Sequence, residues 1–176
     1  MTCIVGIANK KSGKVYIGAD SAGVSGYDLM LRADEKVFRN GDFLIGYTTS
    51  FRMGQLLRYE FSPPVHPACD AMEYMVRCVV PAIRKCFKEH GFQRTDNSVE
   101  SGGTFLIGYQ GDLFVIESDY QVAKPAHGVH ATGCGSAAAL GALLAMSSEQ
   151  PKSRATKALK VSEMLNIGVR GPFKVM

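Results

Sequence analysis

Twice in 176 residues the hydrophobic pattern changes period, each time from strand to helix, and that order limits the chain to few architectures. Residues 2–9 (TCIVGIAN) and 14–20 (KVYIGAD) are short β-branched runs joined by KKSG, a hairpin loop ending in glycine. A Gly-rich stretch, AGVSGYD, follows. KVFR, the turn NGD and FLIGYT then read as a second hairpin. Helical spacing takes over in SFRMGQLLRYEF, which SPPVHP ends. Over residues 68–90, Ala71, Met72, Met75, Val76, Val79, Val80, Ile83 and Phe87 line one side and Glu73, Arg77, Arg84 and Lys85 the other. Pro81 predicts a kink or a short offset in this helix, and His90-Gly91 predicts its end.

The cycle then repeats. After the polar loop QRTDNSVESGG, TFLIGYQ and LFVIESD flank Gly111-Asp112 as a third hairpin, and QVAKPA with VHATG supplies a fourth. GSAAALGALLAMSS and residues 153–165 read as two further helices. The tail GVRGPFKVM offers one last strand, which Pro172 confines to an edge or a bulge. Segregated runs of strands and helices indicate the α+β class rather than a wound parallel sheet. The expectation is a four-layer αββα sandwich: two stacked, mainly antiparallel sheets, one from each set of strands, with two helices over each outer face. No linker interrupts the pattern, so residues 1–176 read as one domain, and the halves share no convincing repeat.

A composition 46% hydrophobic and 20% charged supplies a core. The net charge of +4 is spread from Lys10 to Lys174 without a basic stripe, which argues against nucleic acid as a partner. Five cysteines, an odd number with no CxxC pair, read as free thiols in a reducing compartment. The four histidines share no metal-ligand spacing, so no metal is expected. Neither a signal peptide nor a run approaching ~20 apolar residues is present, so a cytoplasmic protein that does not enter a membrane is expected.

Chemistry concentrates at one end of the first hairpin. If Met1 is removed, Thr2 carries both a hydroxyl and a free α-amine, and an amine with a pKa of about 7.7–8.0 is partly neutral at cellular pH. A threonine with its own amine as base is a known nucleophile arrangement. Asp20 ends the strand paired with the first, so it lies near Thr2, and Lys36 opens the next strand in RADEKVF. A lysine beside Thr2 favours the ionised hydroxyl and keeps the neighbouring amine neutral, and Asp20 would orient it. Taken singly, each residue has a plain explanation: a β-former, a turn residue and a surface charge. Together they are far less generic.

TCIVGIANKKSGKVYIGADS, RADEKVF and FLIGYTTSFRMGQLLRYEF resemble the proteasome β-subunit family, and among its members the short HslV-type peptidases. The likeness is good over about the first sixty residues, fair through GGTFLIGYQGDLFVIESD and HATGCGSAAALGALLA, and weak over the last twenty-five. The resemblance implies an N-terminal-nucleophile hydrolase in which Thr2, Asp20 and Lys36 are catalytic. It also implies a backbone N–H oxyanion donor at Thr49, where the family has Ala-Gly in place of Thr48-Thr49. Gly23 and Tyr47 are expected near the pocket for the substrate side chain. GCGSAAALG takes the place of a Gly-Ser-Gly turn, with Cys134 in the middle and Ser136 two residues later. The alternative reading of that stretch as a dinucleotide loop fails on glycine spacing and on the absence of a βαβ order. The family's late acidic residue has no clear counterpart; Asn166 lies nearest.

The implied function is a threonine-type peptidase acting on peptides or unfolded proteins within a homo-oligomeric ring, with an ATPase unfoldase as a possible partner and no cofactor. Two alternatives stand beside it. Retention of Met1 would leave Thr2 without its amine and make the chain a catalytically silent ring or assembly subunit. A different N-terminal-nucleophile amidohydrolase would act on a small amide without a chamber.

Overall fold

The computed structural model describes residues 1–176. The β-branched run at the start becomes the buried strand β1 (Cys3–Asn9), which turns tightly into β2 (Lys14–Ala19). A hairpin of β3 (Ala22–Ser25) and β4 (Asp28–Leu31) follows. β5 (Val37–Asn40) and β6 (Phe43–Tyr47) pair next, and α1 (Phe51–Tyr59) starts from a Ser50 cap whose hydroxyl accepts the Met53 N–H. α2 (Ala71–Tyr74), capped by Asp70, runs through a π-helical turn at Met75–Val79 into α3 (Val80–Glu89). The π turn ends two residues before Pro81, which has no N–H to give, so the offset expected there is taken up as a register change.

β7 (Arg94–Asp96) and β8 (Val99–Ser101) form a small exposed hairpin within the segment expected as a loop. β9 (Phe105–Tyr109), β10 (Asp112–Ile116), β11 (Val122–Ala123) and β12 (Val129–Gly133) follow. α4 (Ser136–Ala145), α5 (Pro151–Leu165) and β13 (Lys174–Val175) complete the chain. No helix is long and apolar enough to cross a membrane.

The sandwich is as expected, but the allocation of strands to sheets is not. One sheet has the order β12-β1-β2-β13 and the other β11-β10-β9-β6-β5. The second hairpin therefore pairs with the third, through Leu44↔Gly108 and Tyr47↔Phe105, rather than with the first. β1 instead takes β12 as its other neighbour, with Cys3↔Gly133 and Ile7↔Val129. Local pattern defines hairpins; which hairpins join is decided by matching apolar faces far apart in sequence. The segment AGVSGYD, read only as Gly-rich, opens the separate β3-β4 hairpin.

Alternation along the strands builds three apolar layers. Cys3, Val5 and Ile7 face α4 and α5, meeting Ala139, Leu143, Ala155 and Leu159. Ile4 and Ile17 point the other way and meet Leu44, Leu106 and Leu113 between the sheets. Ile45, Phe105 and Phe114 pack under α1 and α3 against Leu57, Val79 and Ile83. The order is thus helices, sheet, sheet, helices. Pairing beyond Asn9 and beyond Gly133 stops at opposite ends, so Thr2, Asp20, Gly133 and Thr48 gather at one end of the sandwich. A surface cleft of about 510 Å³ lies at the other end, by the β1–β2 and β9–β10 turns, and contains none of these residues.

Candidate active site

Thr2 precedes β1, and Asp20 directly follows β2 across the same hairpin, where Ile4 pairs with Ala19. Lys36 stands one residue before β5, whose Val37 lies between the sheets. The three side chains meet out of solvent: Thr2 is 5%, Asp20 1% and Lys36 1% exposed. Lys36 Nζ donates to Thr2 Oγ1 at 2.9 Å, to Asp20 Oδ1 at 2.8 Å and to the Ala22 carbonyl at 2.7 Å. Three acceptors match the three protons of an ammonium. Burial pulls the Lys36 pKa below the ordinary lysine value, and the Asp20 carboxylate opposes that pull.

Asp20 is held by more than the lysine. Its Oδ1 also accepts the Cys3 N–H at 3.0 Å, and its Oδ2 accepts the N–H groups of Ala22 at 2.9 Å and Arg170 at 3.3 Å. One carboxylate thus ties the starts of β1 and β3 to the C-terminal stretch. Arg170 carried no signal in the sequence, because its contribution is a backbone N–H.

The opposite flank of Thr2 is sulfur and amide. The Thr2 N–H donates to Cys134 Sγ at 3.2 Å. The Cys134 thiol has the Thr2 carbonyl at 3.4 Å and Asn166 Oδ1 at 3.3 Å as acceptors, and Asn166 Nδ2 donates to the Cys134 carbonyl at 3.0 Å. Gly133 has φ +98°, and a Cβ there would sit 2.2 Å from the Thr2 carbonyl oxygen, so only glycine permits this approach. Ser136 opens α4 and makes no hydrogen bond to Thr2, Cys134 or Lys36. From α5 the buried Ser162 hydroxyl donates to the Gly135 carbonyl at 3.0 Å.

Met1 lies over the site. Its carbonyl accepts the Thr2 hydroxyl, and its side chain packs against Gly168. With Met1 attached, the Thr2 nitrogen is an amide. The Thr49 N–H has no partner within the chain, and Thr49 has φ +67°.

Gly23 and Tyr47 do not share an open recess. The face of Gly23 is covered by the Arg32 arm, whose guanidinium is paired with Asp34 and stacked 3.8 Å above the Phe51 ring. The Tyr47 ring lies over Gly54 in the helix layer and borders a recess of only about 50 Å³. Arg32, Asp34 and Phe51 went unnoticed in the sequence, where each reads as an ordinary surface or helix residue.

No protein-family model and no curated protein sequence matches the chain. Solved structures do. BPH from Thiobacillus denitrificans in complex with epoxomicin superposes with a TM-score of 0.82 at 22% identity, covering 99% of this chain and 97% of that one. HslV from Trypanosoma brucei gives a TM-score of 0.69 at 19% identity over 99% and 98% of the two chains. A Gly-1 mutant of Anbu from Hyphomicrobium gives 0.67 at 14% identity over 99% of this chain and 80% of that one.

Proposed function

We propose that this chain, whose fold is that of the proteasome-like N-terminal-nucleophile hydrolases, is a threonine peptidase with Thr2 as its nucleophile once Met1 is removed. The observation that carries the reading is the buried Lys36 ammonium 2.9 Å from Thr2 Oγ1 and 2.8 Å from Asp20. Thr2 Oγ1 adds to a peptide carbonyl carbon while its proton passes to the Thr2 α-amine. The amine returns that proton to the departing substrate nitrogen, leaving an ester on Thr2. Water then hydrolyses the ester and restores the hydroxyl. Lys36 holds positive charge beside the developing alkoxide, Asp20 fixes Lys36, and the unpaired Thr49 N–H receives the oxyanion. The Thr2 N–H donating to Cys134, and the Cys134 thiol donating to Asn166, support a role for both residues beside the freed amine.

The substrate class is a peptide or an unfolded protein, and the setting a cytoplasmic homo-oligomeric ring fed by an ATPase unfoldase. Exposed Tyr27, Leu29, Met30 and Leu31 on the β3-β4 hairpin, and Met164 and Leu165 at the end of α5 with Ile167 just beyond it, support burial against another subunit. The test is the N-terminal sequence and intact mass of the mature protein after incubation with epoxomicin, the compound bound in the Thiobacillus structure. The expected result is a Thr-led chain carrying one adduct, absent in Thr2→Ala. A Thr-led chain that takes no adduct overturns the proposal.

The silent-subunit reading is favoured by one specific arrangement: with Met1 in place, the Thr2 nitrogen and hydroxyl are both engaged, by Cys134 and by the Met1 carbonyl. A native chain that retains Met1 and still assembles selects that reading.

A further inference from the structure

After β6 the chain reverses within three residues. The Thr48 carbonyl accepts the Ser50 N–H at 2.7 Å, and the residue between them, Thr49, has φ +67°. This is a γ-turn with a left-handed centre, a rare and strained conformation. For a β-branched residue a positive φ is an outlier, and such residues persist only where their surroundings over-determine them.

The surroundings here are one short strap. The Thr104 N–H donates to Thr49 Oγ1 at 3.1 Å, while the Thr104 carbonyl accepts the Thr48 N–H at 3.2 Å. Thr104 Oγ1 in turn donates to Glu117 Oε2 at 3.3 Å. Gly103 lies flush on the turn: a Cβ there would fall 3.0 Å from Thr49 Cβ and 2.6 Å from Met53 Sδ. The turn also adjoins the nucleophile. The point where a Cβ on Gly133 would sit is 2.2 Å from the Thr2 carbonyl oxygen and 3.2 Å from Thr48 Oγ1.

We propose that Thr49 is a positioning residue: its hydroxyl, anchored by the Thr104 N–H, locks the strained turn that presents the free Thr49 N–H to the reacting carbonyl. The inference rests on the threonine-peptidase reading. Glycine reaches positive φ without strain and needs no anchor. Threonine and serine reach it because the hydroxyl is held. Valine keeps the shape of threonine but leaves the Thr104 N–H without its acceptor and the turn without its lock.

The experiment compares Thr49→Ser, Thr49→Gly and Thr49→Val in the mature, full-length protein, using a fluorogenic leucyl peptide amide as probe. Ser and Gly, which keep the Thr49 N–H aimed by an anchored hydroxyl and by a free φ, are expected to give the higher kcat values of the three variants. Val is expected to lose on the order of tenfold in kcat with little change in KM, less than the ~100–1,000-fold that follows outright removal of an oxyanion donor. Hydrogen exchange at the Thr104 amide should quicken in Val and not in Ser. If Val does not fold, Thr49→Ala carries the same comparison. A Val variant with wild-type kcat and a protected Thr104 amide overturns the inference while leaving the peptidase reading intact. A Thr-led wild type that neither cleaves the probe nor takes the epoxomicin adduct overturns both.

Discussion

Asp20→Asn should damage the fold more than Lys36→Met, although the two residues form one ion pair. Asp20 accepts four donors: Lys36 Nζ and the Cys3 N–H on Oδ1, and the Ala22 and Arg170 N–H groups on Oδ2. An asparagine there turns one acceptor into an NH₂ group. Whichever way it faces, that group meets two donors, so two bonds become clashes and a buried charge loses its partner. Breaking a buried pair from one side costs about 3–5 kcal/mol. For a chain of this size that is a fall in Tm of roughly 6–20 °C. Lys36→Met leaves Asp20 with three backbone N–H groups, enough to hold a carboxylate ionised. It also spares the ties to Cys3, Ala22 and Arg170, and its cost should be smaller by about 1.5–3 kcal/mol, the worth of one hydrogen bond to a charged group. The pair of single variants and the double variant, unfolded in urea, form a double-mutant cycle. The double variant should be less destabilised than the two singles summed. Equal losses from the two singles, or Lys36→Met the worse, would refute the reasoning that Asp20 serves as a three-segment tie.

Two further outcomes follow from the site. On the threonine-peptidase reading, activity should rise with pH as the Thr2 amine loses its proton, then fall on the alkaline side below 10.5, because burial lowers the Lys36 pKa and the ammonium is needed. The stability linked to Lys36 runs the other way: it is fully present above 10.5 and is lost as pH falls through the lowered folded value, so unfolding curves and kcat profiles should diverge in that window. Secondly, iodoacetamide should alkylate exposed Cys134 before Cys3, whose thiol is buried and pushed up to about 12. Peptide mapping of the labelled sites, beside epoxomicin adduct formation, checks this: alkylation at Cys134 should abolish the adduct, and an undiminished adduct would place Cys134 outside the site.

What the sequence made legible was local. Hairpin pairing alone brings residue 20 near residue 2, and the short step to residue 36 brings in the lysine, so Thr2, Asp20 and Lys36 could be put together from order and spacing. The contributions of Ala22, Arg170 and Thr104 were not legible, since each acts through a main-chain N–H or carbonyl that any residue type would supply. Ser162 reads as one polar position in an amphipathic helix and turns out to be wholly buried. Ser136 begins α4 and makes no hydrogen bond to Thr2, Cys134 or Lys36. The sheet partners were misassigned for a related reason: Leu44 and Gly108, or Cys3 and Gly133, find each other by complementary faces across sixty or more residues, and nothing adjacent in the chain records that match.

Interleaving of the strands has a consequence for synthesis. β1 is flanked by β2 and by β12, and Asp20 is closed from above by the Arg170 N–H. On the ribosome the first strand waits until about three-quarters of the polypeptide has emerged before its second neighbour arrives. The Asp20 carboxylate that holds Lys36 therefore gains its last tie, the Arg170 N–H, only when the C-terminal stretch is out.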